Sequence, residues 1–445
     1  MYKKIILFLA IIIFAISAYS QEVENATTID KDTYILWLAK DWNRLITIGE
    51  TAIKNEVDFY YLRVRMGIAY FEKKNYHKAI YHFEKAYKFN PNEYFLKEYL
   101  YFAYLYAGRQ TEAGIFASSF TQSQKEKLKI DDGKFIDELK FTYNTSFNDD
   151  QSTTENYSIS VAENKDGFQQ ISKKLDYFNI SLKHQISPKF SIFHGYSNIN
   201  KTSFLYTQYD SVTEENSNNK STLHQYYFSM NARVAKNFNM QTGFHYLSIQ
   251  YTAEDSTFRQ GQVYNYTYTI TDNDFLGFLS MYKGINYFTL GGTIYYAGLN
   301  DAKQLQSDVL FFFYPFGNVN LYFVSTLSLQ WEKYSTNQPT KQFVFDQQIG
   351  IKLIKNIWIE GHATFGDLHN FIKNDGFVVY NGLDVIKQMY GGQLIIPLKS
   401  AFQFRVDYSF ITNESSFFPT IPENNTYNTI QYNSHSITGR ITWNL

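Results

Sequence analysis

From about residue 135 to the C terminus, apolar residues recur at every second position and the positions between them carry charge. The final segment, SHSITGRITWNL, shows the sorting in its simplest form. Ile437, Gly439, Ile441, Trp443 and Leu445 form one set; Ser436, Thr438, Arg440, Thr442 and Asn444 form the other. A period of two is that of a β-strand. Two folds accept it. A soluble sheet packs the apolar face into a core, whereas a barrel in lipid turns that face outward.

The sorting returns upstream. FIDELKFTYNTSF sets Leu139, Phe141, Tyr143 and Phe147 against Ile136, Glu138, Lys140, Thr142, Asn144 and Ser146. QFVFDQQIGIKL and AFQFRVDYSF do the same. Tight connections are expected near Ser187-Pro188, Asn237, Gly284-Ile285, Gly317-Asn318, Asn356 and Lys399-Ser400. Longer polar ones are expected over 148–173, 200–221, 253–272, 333–340, 371–384 and 413–429, with Leu299–Ala302 a short member of that set. Alternation of tight turns with long loops belongs to a transmembrane β-barrel. The expected fold is α + β and multidomain, with an antiparallel barrel of about 14 strands over 134–445, twelve being the alternative count.

Charge on strand after strand decides the sidedness. Glu138, Lys140, Lys183, Asp346, Lys352, Arg405, Asp407 and Arg440 all occupy the polar face. They are expected to line an enclosed lumen, either as a selective path for a solute or as a plugged, salt-bridged interior. Aromatic residues near strand ends, among them Trp331, Tyr408 and Trp443, suit the interfacial girdles of such a barrel. With about 14 strands the bore is modest, and inward side chains or a folded loop are enough to fill much of it. The last strand is expected to close against the first and leave no free edge. Its alternating apolar residues resemble the C-terminal signal by which outer-membrane barrels are recognised for insertion, with Leu445 where a Phe is usual.

The first twenty residues read as a secretory signal: Lys3 and Lys4, an apolar run from Ile5 to Ile16, then Ala18-Tyr19-Ser20 before Gln21. The run is short for a membrane span, which needs roughly 20 residues. The sequence holds no cysteine, which removes disulfides, thiolate metal sites and a cysteine nucleophile. A formal net charge of -1 gives no hint of nucleic acid. Aromatic residues make up 19% of the chain while mean hydropathy is -0.35, as interleaving of apolar with polar positions requires.

Residues 30–128 follow a different rule, with apolar residues at helical spacing. In MGIAYFEKKNYHKAIYHFEKAYKFNP, small Gly67 and Ala79 sit where two helices would cross, Tyr70 and Phe83 where they would be filled, and Pro91 where the second helix would stop. With Met66, Tyr76 and Ala86 this stretch resembles the tetratricopeptide (TPR) family, whose unit is about 34 residues. Weaker echoes flank it: Trp42 one period before Tyr76, the series Leu45, Ala79 and Ala113, the pair Ala52 and Ala86, and Gly108 at the next turn. The resemblance implies that the first helix of each unit lines a groove, here through Tyr61, Val64, Ile68, Phe71, Phe95, Glu98, Phe102 and Leu105. That groove would dock a periplasmic or envelope protein, unless those residues pack on a neighbouring helix or on the next domain.

Chemistry is sparse. Nine histidines are scattered, with no HExxH and no Gly-rich phosphate loop after a strand. His435 with a serine is the best candidate for a lipid-modifying enzyme, but the chain is read as a non-enzyme without metal or cofactor. The order of signal, repeats and barrel resembles the outer-membrane exporters of secreted polysaccharide and the smaller YaiO-type barrels. What that implies is an outer-membrane protein of a diderm bacterium with its repeats in the periplasm, bound by lipid, docking a partner and supporting export or assembly of a polymer such as polysaccharide. A non-conducting scaffold that anchors the repeats is the alternative.

Overall fold

The computed structural model describes residues 26–130, 135–149, 166–209, 212–259, 262–334, 339–354, 356–398, 401–419 and 429–445; the signal expected at 1–20 lies outside them. The chain forms two compact units, one helical and one built on a β-barrel.

The helices are α1 (Ala26–Leu38), α2 (Trp42–Lys54), α3 (Tyr60–Glu72), α4 (Tyr76–Phe89), α5 (Tyr94–Tyr106), α6 (Gln110–Ala117) and α7 (Gln122–Leu128). They begin at a fixed interval: α1, α3 and α5 at 26, 60 and 94, and α2, α4 and α6 at 42, 76 and 110, so each hairpin follows the last by 34 residues. The turns repeat as well. Lys40, Lys74 and Gly108 each adopt positive φ between the two helices of a hairpin. Asp41 and Asn75 cap α2 and α4 by accepting from the backbone N–H groups of Arg44 and Lys78, each at 3.2 Å. The hairpins cross closely because the crossing positions lack side chains. A Cβ at Gly67 would lie 2.4 Å from the Phe83 ring, and one at Gly49 within 2.1 Å of Met66. Leu45, Ala52, Ala79, Phe83, Ala86 and Ala113 share one buried core.

The second unit is a closed antiparallel barrel. Its 14 staves are β1 (Ile136–Asn148), β2 (Gly167–Ser187), β3 (Phe190–Tyr209), β4 (Val212–Ala235), β5 (Phe238–Arg259), β6 (Gln262–Ile285), β7 (Phe288–Leu299), β8 (Ala302–Phe313), β9 (Leu321–Lys333), β10 (Thr340–Ile354), β11 (Ile357–Leu368), β14 (Val385–Leu398), β15 (Phe402–Ser416) and β17 (Thr429–Asn444). Two short strands, β12 (Phe371–Lys373) and β13 (Val378–Tyr380), pair only with each other, and β16 (Phe418–Pro419) joins β2. Closure falls where the terminal pattern placed it: β17 pairs with β1 from Glu138 opposite Asn444 to Asn148 opposite Ser434. The wall of the barrel is therefore closed, with no edge strand between β1 and β17.

Long connections differ from the sequence reading. The stretches 200–221 and 253–272, expected to be loops, continue as ladder to Tyr209 opposite Val212 and to Arg259 opposite Gln262. Their Thr, Tyr and Ser residues suit a strand, and a ladder that has left the apolar zone needs no apolar side chains. Polarity marked the end of the greasy zone, not the end of the strand.

The outward face is apolar. Ile294 is 59% exposed, Tyr296 64%, Val309 59% and Phe343 58%, whereas the inward Ser280, Gln306, Gln330 and Thr364 have no exposed surface. Water would not tolerate that belt, and lipid would. One rim of the belt carries Phe288, Phe311, Phe313 and Phe323, which stack in a row, and the Phe402–Trp443 stack. Towards the other rim lie tyrosines with anchored hydroxyls: Tyr143 on Asp176, Tyr196 on His224, Tyr246 on Asn273 and Tyr408 on His435. On β7, Phe288 and Tyr296 lie about 26 Å apart along the strand at ~3.3 Å per residue. On strands tilted by ~35–45° that is roughly 20 Å of height, which fits within the ~25 Å apolar band of a transmembrane barrel.

Candidate functional site

Between β11 and β14 the chain turns into the barrel. The sequence FIKNDGFVVY makes it a hairpin: Phe371 pairs with Tyr380, Ile372 with Val379 and Lys373 with Val378. Asp375 and Gly376 take φ of 52° and 78° at the tip. That left-handed pair is what a tight hairpin turn requires.

Alternation gives the hairpin two faces. Ile372, Phe377 and Val379 pack with Tyr227, Leu247, Leu276, Phe278 and Tyr295 of the β4–β7 wall. Phe371 and Tyr380 pack with Val344, Leu368, Met389, Ile386 and Ile411 of the β10–β15 wall. One element touching both walls spans the bore.

Polar contacts fix its backbone and its ends. The Gln306 amide donates to the Ile372 carbonyl at 2.6 Å and accepts from the Ile372 N–H at 3.1 Å. At the tip, Asp375 accepts from the hydroxyls of Ser280 (2.6 Å), Tyr282 (2.5 Å) and Thr293 (3.2 Å). Tyr227 donates to the Asp375 carbonyl at 2.8 Å, and the His245 ring meets the Gly376 carbonyl at 2.8 Å. Lys373 reaches Asp346 at 2.6 Å. At the base, Asn370 donates to Glu332, Asn300 bonds Asn370 and the Asn381 carbonyl, and Asp384 takes Ser172 and, at 3.4 Å, Lys201.

All eight charged residues singled out from the sequence lie on inward positions of their strands. They do not form one group. Asp346 belongs to the hairpin latch. Lys140 pairs with Glu138 at 2.7 Å and Lys183 with Asp137 at 2.6 Å. Lys352 lies over the Trp358 ring at 4.4 Å. Asp407 is 3.6 Å from His362 and accepts from Ser409. Arg405 and Arg440 are cross-strand partners. His435 faces outward, bonded to Tyr408 at 2.7 Å and 3.9 Å from Asp149.

The residues read as a repeat groove split in two. Tyr61 and Phe95 are exposed, and Phe71, Glu98 and Phe102 half-buried. Phe71 joins Tyr76, Tyr99 and Tyr106 in an aromatic surface. Val64 and Ile68 are a correction: they are buried in the helical core cluster that also holds Ile29 and Leu36 of α1. The first helix of the preceding hairpin, α1, packs on α3 in the same core and covers what would otherwise be groove. Nearby, Arg63 donates to both Asp58 oxygens, at 2.6 and 2.7 Å, and lies 3.2 Å from His82 Nδ1. Burial, then the charge of Arg63, pushes His82 down to about 3.

The sequence reading missed the hairpin. It took 371–384 for an external polar loop, although Asp-Gly between the apolar pairs Phe371-Ile372 and Val378-Val379 is a strong hairpin signal. The inward apolar patch that receives it, including Tyr227, Leu247 and Leu276, was missed too.

No family model matches the chain, and no curated protein matches it. Solved structures similar to it include a Pseudomonas aeruginosa FadL homologue (9% identity, 74% of this chain and 94% of that one, TM-score 0.40). Others are the P. putida toluene transporter TodX (6% identity, 70% and 90%, TM-score 0.41) and a bacterial polysaccharide outer membrane secretin (8% identity, 69% and 98%, TM-score 0.35). These are likenesses of barrel shape.

Proposed function

We propose that this chain is an outer-membrane barrel whose passage is held shut by its own hairpin, with the helical repeats on the periplasmic side to dock an envelope partner. The observation that carries the reading is the hairpin between Phe371 and Tyr380, fastened to opposite walls of the lumen by side-chain bonds and the Lys373–Asp346 ion pair. It is part of a connection, not of the wall, so it can leave without breaking the barrel ladder. A helical array of period 34 with an exposed aromatic surface supports a docking role of tetratricopeptide type. In its finer form the passage serves export or assembly of a secreted polymer such as polysaccharide. Hydroxyl and amide groups lining the bore, among them Gln304, Gln306, Gln330 and Asn179, are the groups that would meet sugar hydroxyls.

A second reading has its own support. The hairpin is bonded at tip, strands and base, which suits a permanently blocked barrel that only anchors the repeats. Channel recordings on Asp375→Asn, set beside the wild type, separate the two. The gated reading expects rare openings in the wild type and frequent ones in the variant. A silent variant whose hairpin has become cleavable by protease would favour the anchor.

A further inference from the structure

Arg405 and Arg440 face each other across β15 and β17 as direct register partners on the inward face. Like charges placed directly opposite on a sheet repel, so the pair needs something between or around it. Asp407 and Glu138 act on Arg440 through space, but the short contacts of the carboxylates at this level go to other groups. Glu138 pairs with Lys140, Asp407 with His362 and Ser409, and Glu360 accepts from Tyr322 and Gln393 at 2.5 and 3.0 Å. Among the described residues each guanidinium makes one bond, from its Nε: Arg405 to Gln403 at 2.7 Å and Arg440 to Thr142 at 3.3 Å. Among the described residues no carboxylate lies within 4.0 Å of either guanidinium. Among the described residues their terminal nitrogens have no acceptor, and both side chains stand on the inward face.

We propose that this pair is an oxyanion site, taking a phosphate group either as the free ion or as a monoester on a larger solute. The Nε bonds fix both side chains and leave each with the terminal edge of its fork, and two such forks suit a tetrahedral, doubly charged group. Bound anion would cancel the repulsion across the β15–β17 ladder. The inference needs a wet lumen but no movement of the hairpin, so it can fail while the gated reading stands.

Equilibrium dialysis of the purified full chain in detergent, with radiolabelled inorganic phosphate against a chloride background, tests it. One phosphate retained per chain is expected. Arg405→Gln and Arg440→Gln should each weaken retention by about tenfold or more, since bonds to charged groups contribute ~1.5–3 kcal/mol. Arg405→Lys keeps the charge but loses the fork, and should fall between. Glycerol phosphate competing with the label points to a group carried on a solute; phosphate alone competing points to the free ion. No retention by the wild type, or equal retention by the Arg405→Gln, Arg440→Gln double variant that still shows folded-barrel mobility on gels, overturns the proposal.

Discussion

Lys373 and Asp346 meet at 2.6 Å inside the barrel, where the hairpin crosses the face of β10, and Thr364 donates to the same carboxylate oxygen at 2.5 Å. This ion pair joins the element that fills the bore to the wall that encloses it. Asp346 is 5% exposed, so its carboxylate cannot exchange the bond for free water without motion.

Removing one partner should therefore loosen the hairpin more than removing both. Asp346→Asn strands a buried ammonium and is expected to destabilise the docked hairpin by about 3–5 kcal/mol. Adding Lys373→Met should recover most of that loss. Limited proteolysis at Asn374–Gly376 in the folded, detergent-solubilised chain reads the difference. Equal cleavage of the single and double variants would show that the pair does not hold the hairpin.

The assignment of outside to the apolar face has its own test at Ile294, between Phe288 and Tyr296 on β7. Ile294→Arg is expected to lower barrel stability in lipid vesicles by about 1–3 kcal/mol, between the midplane and interfacial costs of arginine on a lipid face. Urea titration of the folded fraction by gel mobility measures it. Unchanged stability would place Ile294 away from lipid.

In the helical unit, Gly67→Ala drives a Cβ into the Phe83 ring and should destabilise the α3–α4 hairpin by ~1–3 kcal/mol. Gly114→Ala in α6 meets nothing within 4 Å and should be neutral or stabilising by up to ~1 kcal/mol. Thermal melts followed at a helical circular-dichroism band should rank the two variants in that order.

Protonation of His82 supplies a pH test. Its folded value lies near 3, below the unfolded 6.5, so between those limits the unfolded chain binds more protons than the folded one. Stability of the helical unit should fall as pH drops through that window, by at most about 1.4 kcal/mol per pH unit from this group. Stability is unaffected by this group above the window. His82→Gln keeps an acceptor for Arg63 and should flatten the slope relative to wild type. Parallel slopes would contradict a buried neutral histidine.

How much of this was legible depends on how local the cause is. A strand with one face in lipid and one in a lumen writes its sidedness at every residue, so Arg440 and Ile441 declare opposite faces without any knowledge of neighbours. The repeats declare themselves through Gly67, Ala79 and Phe83 because close crossing forbids most side chains there. The hairpin is different. Its docking depends on Leu247 and Tyr227, which stand on strands more than a hundred residues away and look, in sequence, like breaks in the alternation. The burial of Val64 and Ile68 depends likewise on a helix, α1, whose sequence carries little of the repeat pattern.

The central claim is that Phe371–Tyr380 is what closes the bore. Replacing residues 369–384 by a short Gly-Ser linker and recording the purified full chain in planar bilayers tests it most directly. Large, steady conductance in the variant, against a nearly silent wild type, is predicted. A variant that inserts, shows folded-barrel mobility and stays as silent as the wild type would contradict it.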